Sequence, residues 1–190
     1  ENLIELFSPK RRPINNHETI HTTSERVGES ILRLNKIEEE VLSTDCAEEL
    51  IIHIDGGHIN SKEAGERSFE AMTSAVDRPD SVKSNPKETR NYIESKHCAA
   101  SALSDAQEQM KKRTLIAALK QGITPKTKVT ALCDGADNCW NVVDALEPFS
   151  FSIERILDWF HITMRLKNIS VPDPLKEKLE KVKWHLWRGN

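Results

Sequence analysis

Two aspartates, Asp55 and Asp134, occupy positions from which their carboxylates could take part in metal chemistry. Each ends a mostly apolar run, residues 50–54 and 129–133, and each is followed at once by glycine. Such runs are typical of buried strands, and glycine lets a ligand or another backbone come close to the strand end. Two carboxylates at neighbouring strand ends can bind divalent cations that activate the attacking oxygen and stabilise the leaving oxygen of a phosphodiester. Because the aspartates are remote in sequence, this hypothesis requires a fold that makes their strands neighbours.

Each aspartate also has a purely structural interpretation. The sequence Asp55-Gly56-Gly57 is typical of a hairpin turn, although the apolar residues before it and the polar residues after it favour a buried strand that ends at a site. Asp134 could cap a helix, but Asp137 is better placed for that role. We therefore predict that Asp55 and Asp134 hold Mg²⁺ or Mn²⁺, since two like charges in close proximity need a neutralising cation.

A second pair, Asp158 and His161, lies three residues apart where a strand is predicted to pass into a helix. At this spacing the two side chains can share a helix face. One interpretation is an aspartate that caps the helix and a partly buried histidine. The other places both side chains at the rim of the same site, where His161 contacts DNA or orients a ligand.

The last predicted helix interleaves aromatic and basic side chains. They are Lys181, Lys183, Trp184, His185, Trp187 and Arg188. This pattern is typical of a surface that stacks against nucleic acid. It is also typical of tryptophans that face the core beside a solvated basic face, which is the interpretation that we favour from sequence.

The elements that must position these residues follow from apolar periodicity and from turn signals. An irregular lead-in over residues 1–21 precedes an amphipathic helix of about 20 residues, for which Thr22 and Glu25 form a capping box. Ser104 and Gln107 are predicted to cap a later helix that stops at Gly122. Strands are predicted at 50–55, 68–76, 89–98, 128–134 and 153–157, and helices at 104–121, 137–145, 158–169 and 173–189. This order predicts an α/β fold with a mixed sheet and helices on both faces.

Composition restricts the class of protein. The chain has 190 residues, of which 37% are hydrophobic and 30% charged, as expected for one globular, soluble domain. Its net charge of −3 excludes a protein that coats nucleic acid by charge alone. No apolar stretch approaches the ~20 residues of a membrane span, and no signal peptide is recognisable. The four cysteines form no CxxC pair, which favours reduced thiols in a cytoplasm over a zinc site, with Cys133 buried in its strand. A start on Glu1 and an end on Asn190 suggest a fragment.

Four strings of residues, 53–59, 132–141, 156–162 and 182–190, resemble bacterial insertion-sequence transposases of the ISKra type. They read His-Ile-Asp-Gly-Gly-His-Ile, Leu-Cys-Asp-Gly-Ala-Asp-Asn-Cys-Trp-Asn, Ile-Leu-Asp-Trp-Phe-His-Ile and Val-Lys-Trp-His-Leu-Trp-Arg-Gly-Asn. These transposases belong to the DDE, RNase H-like superfamily and are related to the Mutator-like group. The four strings occur in the family's order, and the resemblance covers roughly residues 48–190.

The resemblance implies a fold and a set of site residues. The fold is an RNase H-like α/β domain, with a mixed five-stranded sheet in which the strands of Asp55 and Asp134 are adjacent. Residues 1–45 would form a lead-in and an N-terminal helix, 46–170 an incomplete catalytic core, and 171–190 the start of a helical insertion. Asp55 and Asp134 match the first and second catalytic aspartates, which hold the metal ion. Asp158 and His161 match the family's D-x-x-H signature.

The implied function is DNA transposition in the bacterial cytoplasm, without a membrane. A Mg²⁺-dependent hydrolysis at the ends of the element is followed by attack of the freed 3′-hydroxyl on target DNA, and the active form is a homo-oligomer. The family's catalytic glutamate lies further downstream, Glu180 is not assigned to that role, and this chain alone is expected to be inactive. Two alternatives remain open: an RNase H-like nuclease or resolvase without strand transfer, and a degenerate remnant that acts only in DNA binding or assembly.

Overall fold

The computed structural model describes residues 17–38, 45–61, 67–86 and 90–189, and it divides the chain into the units Glu1–Val41 and Leu42–Asn190. The described part of the first unit is helix α1, His17–Glu38. The predicted helix is therefore present, but the capping box at Thr22 is wrong because the helix begins at His17. His21 and Glu25, one turn apart, lie 3.3 Å from each other near the start of this helix. The remainder of the predicted lead-in, residues 1–16, lies outside the described residues.

The described residues of the second unit contain seven strands and four helices. The strands are β1 Glu49–Asn60, β2 Ser68–Asp77, β3 Val82–Ser84, β4 Asn91–Ile93, β5 Lys96–Ser101, β6 Lys128–Cys133 and β7 Ser152–Leu157. The helices are α2 Glu108–Lys120, α3 Asp137–Asp144, α4 Trp159–Lys167 and α5 Asp173–Trp187. Short 3-10 helices lie at Pro79–Ser81 and Glu147–Phe149. Within the described residues, no helix has the length and apolar character needed to span a membrane.

Five of the strands form one mixed sheet in the order β5-β2-β1-β6-β7. Strands β5, β2 and β1 pair antiparallel, whereas β1, β6 and β7 pair parallel. The predicted α/β architecture with a mixed five-stranded sheet is thus confirmed, and the strands that carry Asp55 and precede Asp134 are neighbours. The single strand predicted over 89–98 is wrong. A bend at Glu94 and Ser95 divides it into β4, which pairs with β3 in a separate two-stranded sheet, and β5.

The two faces of the sheet differ in how they are covered. Helices α2 and α3 contact each other and pack against one face, so that burial of apolar surface stabilises this side. Its inward side chains are almost fully buried: Leu50, Ile52, Ile54, Met72, Val76, Val129 and Ala131. Alternate side chains point the other way, and Ile51 and His53 there are only partly buried. The apolar run 50–54 predicted a strand covered on both faces, which is wrong within the described structure. We call this second side the open face.

The ends of α2 show one wrong and one confirmed prediction. Ser104 and Gln107 do not form a capping pair, because Gln107 adopts φ 64° and makes no side-chain cap. Asp105 takes that role, since its Oδ2 accepts a hydrogen bond of 2.9 Å from the backbone N–H of Gln109. At the other end the helix stops at Gly122, whose φ of 88° suits glycine.

Candidate functional site

Three aspartates follow the carboxyl-terminal ends of the parallel ladders formed by β1, β6 and β7. The β1–β6 ladder ends at the pair His53 and Leu132, two residues before Asp55 and Asp134. The β6–β7 ladder ends directly before Asp134 and Asp158. Because parallel neighbours in register present their side chains on the same face, the three aspartates continue the same rows of the sheet.

Asp55 does not lie at the tip of its strand. Strand β1 continues through Gly56 and Gly57 to Asn60, because β2 pairs with it along this whole stretch and places Thr73 opposite Asp55. Both the predicted strand end and the alternative hairpin turn are therefore wrong at this motif. Only the parallel ladder to β6 ends here. The Asp55 side chain is 65% exposed, so its carboxylate is open to a ligand.

Asp134 lies in the loop between β6 and α3. Its Oδ1 accepts a hydrogen bond of 2.9 Å from the backbone N–H of Ala136. Gly135 has φ 90°, a conformation that favours glycine, and turns the chain toward the helix. Asp137 is not the helix cap that sequence predicted, since α3 begins at Asp137 and Ala136 holds the cap position without a side-chain bond. The carboxylate of Asp134 thus supports the loop and keeps its other oxygen outside this hydrogen bond.

Both aspartates influence the pKa of a buried thiol. Cys139 on α3 is 1% exposed. Burial raises the pKa of the Cys139 thiol to about 12, and the negative charges of Asp134 and, more weakly, Asp55 act in the same direction. Cys133 is a buried free thiol as predicted, with its pKa likewise raised to about 12, chiefly by burial. Sequence reasoning missed Cys139, and its place at the start of a predicted helix was the available signal.

Asp158 and His161 satisfy the structural interpretation and also reach the site. Asp158 caps α4, because its Oδ1 accepts a hydrogen bond of 2.9 Å from the backbone N–H of Phe160. Its Oδ2 lies 3.0 Å from Nδ1 of His161. Nε2 of the same imidazole lies 3.8 Å from Oδ1 of Asp55. His161 therefore stands between two carboxylates and links α4 to β1.

A cleft of about 480 Å³ opens on this part of the open face. Asp55, Asp158 and His161 line it, together with strand residues that include His53 and Thr73. Asp134 is not among the described residues that line the cleft. The cleft thus unites three of the four predicted site residues, and Asp134 follows the strand β6 next to that of Asp55.

Sequence reasoning missed a buried carboxylate beside the cleft. Asp77, the last residue of β2, is 0% exposed, and its Oδ1 lies 3.4 Å from Nε2 of half-exposed His53. Within the described structure neither carboxylate oxygen of Asp77 makes a hydrogen bond. Burial raises the pKa of Asp77 above its ordinary value, and the nearby His53 acts in the opposite direction. The apolar pair Ala75-Val76 before Asp77 repeats, more weakly, the signal that identified Asp55 and Asp134.

The aromatic residues of α5 do not face the core. Trp184 is 49% and Trp187 58% exposed, so the interpretation that we favoured from sequence is wrong. The ring centroid of Trp187 lies 4.9 Å from that of Trp159 at the start of α4. Glu180 pairs with Lys183 at 2.6 Å on the same helix, which agrees with leaving Glu180 out of the site.

The donor set suits a hard divalent cation only in part. Among the described residues, no group of three or more His, Cys, Asp and Glu side chains is placed to hold a metal ion. Asp55 and Asp134 nevertheless offer two carboxylates, one exposed and one with an oxygen outside its hydrogen bond. Mg²⁺ is often held by one or two carboxylates while water and phosphate oxygens complete its coordination. Two carboxylates are enough ligands only for an open site of this kind, not for a closed, all-protein one.

Comparison with known proteins does not test the resemblance of the four strings to transposases. No family model matches the chain, and no curated protein matches it.

Proposed function

We propose that this chain is a catalytic domain of a DDE-type DNA transposase, similar to the ISKra type, with an RNase H-like fold. The observation that carries the proposal is that Asp55 and Asp134 each lie two residues beyond His53 and Leu132, the last pair of two adjacent parallel strands. The strand order β5-β2-β1-β6-β7, antiparallel in its first part and parallel in its second, supports the RNase H-like assignment. The four strings that resemble the family all lie in the unit Leu42–Asn190, which contains this sheet.

Asp55 and Asp134 are the residues that would hold Mg²⁺ or Mn²⁺. A divalent cation held there would supply Lewis-acid activation of an oxygen in displacement at phosphorus. The protein's own contribution is orientation. His161, held by Asp158, lies against the Asp55 carboxylate, and the backbone N–H of Ala136 fixes Asp134. The reaction is hydrolysis at the ends of the element, followed by attack of the 3′-hydroxyl on target DNA, and the DNA and further copies of the chain are the partners.

The catalytic glutamate of the family has no match in the four strings. We therefore expect no strand cleavage when this chain alone is incubated with Mg²⁺ and a DNA duplex carrying the element's ends, measured on denaturing gels. Cleavage that Asp134→Asn abolishes would contradict this expectation and show that these two carboxylates suffice. Cleavage that survives Asp134→Asn would place the chemistry elsewhere in the molecule.

The metal site is tested directly by Mn²⁺ binding, measured from the paramagnetic resonance signal of the free ion. We expect Asp55→Asn and Asp134→Asn each to weaken binding by at least about tenfold, because each removes one of two carboxylate ligands. The double variant should lose little more than either single variant, since both side chains serve one ion and their effects are not additive.

Asp144→Asn is the matched control for this experiment. It removes the same charge from α3, but Asp144 pairs with Arg155 at 2.7 Å and does not line the cleft. Mn²⁺ binding should therefore be unchanged. An equal loss in Asp144→Asn, or strictly additive losses at Asp55 and Asp134, would refute a shared site.

A further inference from the structure

Helix α5 carries a row of cationic and aromatic side chains on one side. Residues three and four apart share a helix face, and the exposed cationic and aromatic residues related in this way are Lys178, Lys181, Trp184, His185 and Arg188. Glu177, four residues before Lys181, lies on the same face and reduces its net positive charge. We call these five residues the α5 row.

The carboxylates of α5 are mostly neutralised on its other side. Asp173 pairs with Lys176 at 2.6 Å, and Glu180 pairs with Lys183 at 2.6 Å. Within the described structure, Lys178, Lys181 and Arg188 form no ion pair. These three cations are therefore available to an external anion.

Positive charge is concentrated in this part of a chain that is negative as a whole. Residues 158–189 contain seven Lys and Arg against four Asp and Glu, whereas the net charge of the whole chain is −3. Such a local excess attracts a polyanion, and binding releases the counterions that the polyanion had condensed.

The exposed indole of Trp184 adds a second kind of contact. Its ring is 49% exposed, and Nζ of Lys183 lies 5.2 Å from the ring centroid. Exposed aromatic rings flanked by cations are the usual means by which proteins stack on unpaired bases. In a duplex the faces of the bases are already stacked on one another, so this contact selects single strands.

The position of α5 relates the row to the cleft. The 4.9 Å ring contact between Trp187 and Trp159 holds α5 against the first turn of α4. The same turn carries His161, which lies 3.8 Å from Asp55. The α5 row therefore belongs to a helix that contacts the element carrying His161.

We propose that the α5 row binds single-stranded nucleic acid, with Lys178, Lys181 and Arg188 on the phosphates and Trp184 stacked on a base. The inference deepens the proposed function, since it assigns the unpaired strand near a cut end to a surface beside the cleft.

The test measures the fluorescence anisotropy of a labelled oligothymidylate of about 16 nucleotides, and of a duplex of equal length, mixed with the full chain. We expect Trp184→Ala to weaken binding of the single strand by at least about fivefold, and Trp184→Phe, which keeps an aromatic face, to restore most of it. Affinity for the duplex should change little in either variant. Wild-type affinity for the single strand in Trp184→Ala would overturn the proposal.

Charge is tested by a matched pair of variants. Lys178→Gln and Lys176→Gln remove the same charge from the same helix, but only Lys178 belongs to the α5 row. Lys178→Gln should weaken binding and reduce the slope of log affinity against log salt by about 0.7, and Lys176→Gln should do neither. Equal losses of affinity in both variants would contradict the proposal that the α5 row binds the strand. Circular dichroism verifies that each variant is folded.

Two further outcomes separate this surface from the metal site. Asp55→Asn should bind the oligothymidylate as well as the wild type does. If the wild-type chain binds the oligothymidylate but not Mn²⁺, only the proposed function is contradicted. If the chain binds Mn²⁺ but not the oligothymidylate, only the assignment of the α5 row as a binding surface is contradicted. The exposed apolar residues Leu175, Val182 and Leu186 lie elsewhere on α5. Light scattering that shows self-association through α5, with no binding of the oligonucleotide, would also overturn the proposal.

Discussion

The two Asp-Gly motifs look alike in sequence and differ in structure. At Asp55 the chain stays extended through Gly56 and Gly57, because β2 pairs with β1 as far as Asn60. At Asp134 the chain leaves the sheet and turns at Gly135 with φ 90°. The difference shows that an apolar run followed by Asp-Gly does not define a strand end. The partner strands decide where pairing stops.

The same difference separates the roles of the two carboxylates. In the described structure Asp55 is largely exposed and its contact is with His161 at 3.8 Å. Asp134 is bound to the backbone of its own loop at 2.9 Å. The first aspartate is therefore open to a ligand, whereas the second has a structural task in its loop.

The largest expected effect that sharpens this comparison is at the glycines. Gly135→Ala should lower the free energy of unfolding by about 1–2 kcal/mol, because a side chain is strained at this φ and its Cβ would lie 2.8 Å from Leu157 Cδ2. Gly57→Ala should stay within about 0.5 kcal/mol, since its Cβ would meet nothing within 4 Å. Urea denaturation of both variants measures the difference. Equal costs would remove the distinction between the two motifs.

A smaller effect concerns Asp77, the buried carboxylate on the Asp55 side. Burial raises the pKa of Asp77 above its ordinary value of 3.8. The folded protein then holds this proton to higher pH than the unfolded chain does. The contribution of Asp77 to stability is thus fully present below pH 3.8 and is lost as the pH rises through the raised pKa.

Asp77→Asn should remove this loss. We expect the variant to match the wild type below pH 3.8 and to exceed it by about 1 kcal/mol at neutral pH, as when a buried charge without hydrogen bonds is neutralised. Half-exposed His53 can turn to water, so it retains its hydration. Thermal unfolding between acid and neutral pH measures the difference. A variant less stable than the wild type at neutral pH would show that the contact with His53 outweighs the burial.

Sequence patterns predicted the features that depend on local periodicity. The apolar runs before Asp55 and Asp134 identified β1 and β6, and the spacing of Asp158 and His161 placed them correctly at the start of a helix. These signals lie within a few residues of one another, so they can be recognised without the fold.

The remaining features depend on contacts between distant segments. The 3.4 Å contact of Asp77 with His53 and the burial of Cys139 beside Asp134 exist only once the strands have paired. The pairing of β1 with β2 beyond Asp55 is equally non-local. Adjacency of β1 and β6 was expected from the resemblance and not from the periodicity of either run.

The alternation of the covered and open faces along β1 has a consequence for how this site can change over generations. Ile54 points into the packed side and Asp55 away from it. Deleting or inserting one residue ahead of Asp55, in the part of β1 whose pairing is fixed by its neighbours, would exchange the two directions and drive the carboxylate among apolar side chains. A change of two residues would restore the outward direction. Within this paired part of β1, side-chain direction alone therefore excludes a change of one residue, and a change of two would shift the carboxylate by about 7 Å along the strand.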